Sequence, residues 1–460
     1  MNTLSKKLCG LFLILLVFTS CYFLVRISLL PEALNGEEGI FADLIVHRPS
    51  GPFYGLYGRL EGKNIYGYIG HPAGIYETLR LSGWIFQKFL ASPVYLNDEL
   101  ITPRLRVICS FYQLIFWGLL LAMVYWNRSF PRGWSILLVF TGMLSPLAIK
   151  TSLQLQTDNT CGILFCGAAA GLFALASRSS LRVPLKGILL FLGGFLAGTG
   201  KQEWSLALFL ALLLTAGMYR FFSDSTSGKP LPSLAVIAAG ILAGNLASYF
   251  FDPVNYSLGM HYFLSFSNVT PVSQAHWSFF RWLELMQFRL PFLFACIVFS
   301  AALFYFGAVR KQGLPFLPCL VAFFGLFLTA EYIFSDHSRH LRYFAPGLAV
   351  LTVALLMLLP DRIAGWDRRV LLIAIASVGV STLVYLMGYG PDPGYNLDPL
   401  LNDQGRLPPN TVLYIGYGTA WNKPDIDFVG NNMDYEKQKE KIYQQYGKNL
   451  VYPESLRKAP

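Results

Sequence analysis

Long apolar runs separated by short polar links recur over the first 388 positions. They fall near residues 8–29, 106–126, 134–149, 160–176, 187–200, 203–222, 233–251, 290–308, 314–334, 343–359 and 370–388. Each approaches the ~20 apolar residues with which a helix crosses ~30 Å of hydrocarbon. The pattern predicts an all-α polytopic membrane protein, with residues 1–388 forming a membrane-embedded domain of about eleven transmembrane helices.

Three stretches interrupt the apolar pattern. Residues 30–105 are too long for a plain connection and hold helical patterns at Ile75–Leu81 and Trp84–Phe86, which predict short interfacial helices. Residues 252–289 are rich in aromatics, among them Tyr256, Tyr262, Phe263, Trp277 and Trp282, and suit either a cover over a substrate entrance or an aromatic belt at the membrane surface. The tail, 389–460, reads as a small α/β appendage: a strand over 411–416, a charged helix over 433–446 and a strand over 449–452.

Composition agrees with this division. The chain is 54% hydrophobic and 13% charged, against about 25% charged in an ordinary soluble domain. The net charge of +10 resides in the membrane part, because the tail from Tyr389 carries eight Lys/Arg against nine Asp/Glu. The basic residues fall in twos and threes between apolar runs, which argues against a nucleic-acid partner. With Lys6 and Lys7 cytoplasmic, fourteen basic residues sit on the cytoplasmic side and six on the other. The positive-inside rule then puts the N-terminus in the cytoplasm and, after an odd number of spans, the tail outside. Phe18-Thr19-Ser20-Cys21 resembles a lipoprotein cleavage site, but the apolar run continues to Leu30, so the first span reads as a retained anchor. The seven cysteines lie in or beside apolar runs and form no CxxC pair, so neither a disulfide framework nor a cysteine metal site is expected.

Ionisable groups at a membrane edge are costly, so they are candidates for function. Here they gather on the outer side: Glu37, Glu38 and Asp43; His71; Asp158; Lys201 and Glu203; Asp336, His337, Arg339, His340 and Arg342. An enzyme facing one surface needs such a distribution, whereas an ion pathway needs polar groups at mid-membrane.

These residues lie in an ordered series of motifs: Glu37-Glu38-Gly39-Ile40-Phe41-Ala42, Gly70-His71-Pro72-Ala73, Pro103-Arg104-Leu105, Thr157-Asp158, Gly198-Thr199-Gly200-Lys201, and Arg342-Tyr343-Phe344-Ala345-Pro346. The series resembles the GT-C class of polyprenyl-phosphate-dependent glycosyltransferases, which includes protein O-mannosyltransferases and bacterial aminoarabinose transferases. It departs from that class at Glu37, where the class usually has Asp, and at Ala73, where a second proline is usual.

The resemblance implies a GT-C fold in a bacterial or archaeal-type plasma or inner membrane. It also implies transfer of a hexose or pentose from a polyprenyl-phosphate donor to an extracytoplasmic acceptor, whether lipid, polysaccharide or protein. Glu37, or Glu38 beside it, would be the general base, with His71, Asp158, Lys201, Arg339, Arg342 and Tyr343 holding substrate and donor phosphate. Arg342 suits a phosphate through the fork of its guanidinium.

Each motif also has a plainer reading. Glu37 and Glu38 could start an interfacial helix, Asp158 could cap the fourth span, and His71 could be a structural hydrogen-bonding residue. The cluster Asp336–His340 has donors for a divalent metal ion and equally reads as a polar loop. Gly193, Gly194, Gly198 and Gly200 read as a close helix contact rather than a phosphate loop. Two other functions stay open, a flippase for a lipid-linked glycan and a non-catalytic scaffold of envelope glycan assembly.

Overall fold

A computed structural model describes residues 3–27, 54–60, 63–68, 72–89, 101–127, 130–153, 157–177, 181–222, 231–257, 259–260, 293–309, 316–333, 341–387, 412–414, 427–429 and 450–451. Its first helices are α1 (Thr3–Ile27), α2 (Ala73–Phe89), α3 (Ile101–Trp126), α4 (Arg132–Met143), α5 (Pro146–Ser152) and α6 (Ile163–Ala176). A π-turn, Asp158–Gly162, leads into α6. Then come α7 (Val183–Thr199), α8 (Gln202–Phe222), α9 (Leu231–Phe251), α10 (Leu293–Val309) and α11 (Phe316–Ile333). A 3-10 turn, Leu341–Phe344, precedes α12 (Ala345–Leu358), and α13 is Gly365–Leu386.

Every apolar run of the sequence contains a described helix, and the protein is an integral membrane protein of polytopic fold. Four of the described helices are long and apolar enough to cross a bilayer: Lys7–Arg26, Gln202–Tyr219, Pro232–Phe251 and Gly365–Leu386. The bent pair α4–α5 makes a fifth when counted as one span, and the remaining apolar helices are shorter, 10–17 residues.

The 30–105 stretch contains a helix where 75–86 predicts one, α2. It also contains strands, which the expectation of interfacial helices missed. Strands β1 (Tyr54–Leu60) and β2 (Lys63–Tyr68) form an antiparallel hairpin with a shift of register between Leu56 and Gly58. Tyr and Ile in these strands favour the pleated surface, and β1 gains a second partner from the tail. In the tail, β3 (Val412–Tyr414) and β5 (Leu450–Val451) fall where strands were expected, and β4 (Asp427–Val429) is additional. Together they make one sheet of order β2-β1-β4-β3-β5, in which β4 pairs antiparallel with β1. The sheet therefore ties the tail to the stretch that precedes α2. The expected helix over 433–446 lies outside the described residues.

α12 is buried from Ala345 to Leu358 except for Met357, which is partly exposed. A helix apolar all round is stable only inside a bundle, and α12 packs on α4, α6 and α11. α1 and α13, by contrast, turn large apolar side chains outward, Leu24 and Ile373 among them, as lipid-facing helices do.

The tightest helix pair is α7 with α9. Each carries two glycines four apart, Gly194 and Gly198 on one and Gly240 and Gly244 on the other. A methyl added at Gly198 would stand 2.5 Å from the Ile241 carbonyl oxygen, and one at Gly244 2.5 Å from that of Phe195. Two backbones in direct contact explain Gly194 and Gly198, as the sequence suggested, whereas Gly193 lies on the Phe173 ring and Gly200 on that of Trp204. Gly198→Leu should therefore force the helices apart and destabilise the protein by at least about 1–3 kcal/mol. Gly187→Ala, on the same helix with open space around it, should leave the unfolding midpoint in detergent unchanged. Equal midpoints for the two variants would refute the close contact.

Candidate active site

Two helix interruptions, a π-turn and the α7–α8 turn, meet at one end of the bundle, and the helix that follows a third, the α4–α5 break, reaches the π-turn. At that break α4 and α5 are bent by 52°. Pro146 has no N–H and breaks the ladder, and the Ser145 hydroxyl caps α5 by accepting from the Ala148 N–H at 3.3 Å. The carbonyls freed by the break are taken up from other helices. Thr382 Oγ1 lies 2.8 Å from Leu144 O and shares its one proton between that carbonyl and Val378 O of its own helix, also at 2.8 Å, and a guanidinium N–H of Arg26 donates to Met143 O at 3.1 Å.

Arg26 is 1% exposed, the one described arginine so deeply buried. Its Nε donates to Ser152 Oγ at 2.6 Å, and further donations reach Tyr22 O at 3.3 Å and Ala148 O at 3.4 Å. The guanidinium stacks 3.6 Å from the Tyr22 ring centroid. Tyr22 in turn donates to Ser110 O. Neutral acceptors thus hold this charge and bind the end of α1 to the α4–α5 break.

The π-turn is closed by the Gly162 N–H on Thr157 O at 2.9 Å. In the α7–α8 turn, Gly200 is extended and Lys201 O accepts from the Trp204 N–H at 3.1 Å. Trp204 is fully buried and lies against both turns. A methyl on Gly162 would be 2.8 Å from Trp204 Cζ2 and 2.8 Å from Pro346 Cγ, and one on Gly200 would strike the Trp204 ring. The start of α2 joins the same place. Cys161 Sγ lies 3.9 Å from Ile75 O, and a methyl on Gly74 would be 2.8 Å from Thr199 O.

A polar network braces the α7–α8 turn from α9. Ser205 Oγ donates to Ala197 O at 3.2 Å, and Asn245 Nδ2 donates to Ser205 Oγ at 3.2 Å. The Tyr256 hydroxyl donates to Asn245 Oδ1 at 3.0 Å, and burial raises that phenol above its usual range, so it remains a donor. Asp252, 4% exposed, accepts from the Asn255 amide Nδ2 at 2.7 Å and backbone N at 3.1 Å. The first residues of the aromatic-rich 252–289 stretch are thereby fixed beside the turn that carries Lys201.

Of the residues singled out by sequence, Lys201 and Tyr343 are brought together. Lys201 is 8% exposed, and its Nζ lies 5.5 Å from the Tyr343 ring centroid, within cation–π range. Asp158 opens the π-turn, and Arg342 belongs to the 3-10 turn that contacts it. Glu37, Glu38, His71, Arg339 and the Asp336–His340 cluster lie outside the described residues. Among the described residues no group of three His, Cys, Asp or Glu could hold a metal ion. Sequence reasoning missed Arg26 and Trp204. The first is a lone charge inside an apolar run and is conspicuous for its cost, whereas the second is one more apolar residue in an apolar helix.

Neither a protein-family model nor a curated protein sequence matches the chain. Two solved structures are similar to it in fold. One is ArnT from Cupriavidus metallidurans bound to undecaprenyl phosphate, 12% identical, with a TM-score of 0.57 over 96% of this chain and 90% of that one. The other is the Archaeoglobus fulgidus oligosaccharyltransferase tethered with an acceptor peptide containing the NVT sequon, 12% identical, with a TM-score of 0.53 over 96% of this chain and 68% of that one. Both are GT-C glycosyltransferases, so the fold is the one that the sequence motifs resemble.

Arg26→Met keeps the bulk of the side chain but leaves buried carbonyls without donors. It should cost about 1–3 kcal/mol of stability, with Arg26→Lys recovering only part because an ammonium cannot span the same acceptors. Chemical unfolding in detergent reads both values, and a wild-type midpoint for Arg26→Met would show that α1 is not held by this residue.

Proposed function

We propose that the chain is a glycosyltransferase that moves a sugar from a polyprenyl-phosphate carrier to an extracytoplasmic acceptor. The observation that carries this reading is the meeting, at one end of a GT-C fold, of the residues following His71, the Asp158 turn, the Lys201 turn and the Arg342 turn. These are the positions that the motifs pick out independently.

In this reading the chain spans the membrane about eleven times, with the N-terminus in the cytoplasm and the tail beyond 389 outside. The acceptor hydroxyl oxygen attacks the anomeric carbon from the face opposite the phosphate. As the new C–O bond forms, the hydroxyl proton passes to the Glu37 carboxylate, with Glu38 as its neighbour in reserve. The bond from carbon to phosphate oxygen breaks and its electron pair leaves with the polyprenyl phosphate. One displacement inverts the anomeric centre. The leaving group is already anionic, so it needs cations more than a proton donor, and Lys201, Arg339 and Arg342 supply them. His71, Asp158 and Tyr343 orient the sugar and the phosphate.

Glu37→Gln keeps shape but removes the base, so turnover should fall by ~10²–10⁴-fold with donor binding nearly intact. Arg342→Ala should weaken binding and turnover together, with lysine rescuing only in part. Near-normal transfer by Glu37→Gln and by the matching amides at Glu38 and Asp43 would overturn the mechanism. Topology is tested separately: cysteine at position 423 should react with an impermeant reagent from outside, and cysteine at 311 should be protected. The opposite pattern would remove the geometric basis for an outer site.

A further inference from the structure

We infer that Trp204 is a positioning residue: its indole sets the distance between the turns that carry Lys201, Asp158 and Arg342. This rests on the glycosyl-transfer reading for its consequence, but its geometry is independent of it. The ring is fully buried and is hydrogen-bonded through its backbone N–H to Lys201 O at 3.1 Å, so ring and lysine belong to one rigid turn. One side of the ring lies on Gly200, and its outer edge lies on Gly162 of the π-turn. Gly162 in turn abuts Pro346, four residues beyond Arg342, since the methyl position there is 2.8 Å from both Pro346 Cγ and Trp204 Cζ2. No side chain intervenes at either glycine, so the ring touches backbone directly and its size is transmitted to the turns.

The indole nitrogen is buried and has no hydrogen-bond partner among the described residues. The ring meets both glycines through its carbon atoms, Cε3 and Cζ3 at Gly200 and Cζ2 and Cη2 at Gly162. What it supplies is a rigid, broad apolar body. Leucine there would let the turns move together, and a methyl at Gly162 would drive them apart. Either change displaces Lys201 from the Tyr343 ring and alters the span over which a phosphate is held, and a misplacement of about 1 Å in a reacting constellation costs ~10²-fold in rate.

The test uses purified full-length protein in lipid nanodiscs, with a labelled polyprenyl-phosphate sugar as donor. Rates are expressed per folded molecule, and kcat and donor KM are measured separately. Trp204→Leu should lose ~10²-fold in kcat, while Trp204→Phe, still broad and rigid, should retain most of it. Gly162→Ala should lose activity comparably. The double variant Gly162→Ala with Trp204→Phe, in which the smaller ring withdraws from the added methyl, should regain about tenfold over Gly162→Ala, a coupling expected only of groups in contact. Wild-type kcat in Trp204→Leu, or a double variant no faster than Gly162→Ala, overturns the assignment while leaving the function intact. Absence of transfer by the wild-type protein from every polyprenyl-phosphate sugar would instead overturn the functional reading and, with it, the catalytic consequence drawn here. If Trp204→Leu fails to fold, the comparison of Gly162→Ala with the double variant decides alone.

Discussion

Hydrocarbon offers no water to a broken helix, so each backbone group freed by a break must find a partner inside the protein. This constraint organises the molecule. The α4–α5 break is closed by Arg26 from α1 and Thr382 from α13, the π-turn by its own wide hydrogen bond, and the α7–α8 turn by Ser205, with Asn245 and Tyr256 behind it. The closures of the α4–α5 break and of the α7–α8 turn tie different helices together, whereas the π-turn is held to the α7–α8 turn by Trp204 packing on Gly162 and Gly200. Candidate chemistry sits where backbone order is interrupted, since only there can charged side chains be both held and reached.

The rest of the bundle supplies a frame that does not yield. α12 is a buried axis, and α7 and α9 meet backbone to backbone through paired glycines. A pair in such contact cannot slide without collision, so the α7–α8 turn at its end is fixed with respect to α9. Lys201 consequently stands on a turn braced by close helix packing and by the Ser205–Asn245 hydrogen bonds. The sheet adds a second frame, in which strands from the tail pair with the hairpin that lies between Glu37 and His71 in the sequence.

Much of the helical order was legible in the sequence, because in lipid a helix is specified by little more than length and apolarity. The hairpin at Tyr54–Tyr68 was not, because alternating Tyr and Gly carry a weak period and one of its strands is completed by β4 from the far end of the chain. The sequence offered candidate residues for a site and no arrangement of them. Asp158, Lys201 and Arg342 each follow or precede a helix break that the sequence marks with Gly, Thr or Pro, but which breaks adjoin is a property of tertiary packing. Arg26 was absorbed into an apolar run, and Trp204 has no local signature at all, since its importance lies in the two glycines it touches from different helices.

The account turns on whether this end of the bundle receives a lipid-linked phosphate. The most direct measurement is photolabelling of the membrane-embedded protein with a polyprenyl phosphate that carries a diazirine beside the phosphate, followed by mapping of the modified peptides. Labelling concentrated in residues 157–162, 199–204 and 341–346, and displaced by unlabelled polyprenyl phosphate, is the predicted result. Labelling confined to the outward apolar faces of α1 and α13, or to the links around Arg182 and Arg310, would contradict it.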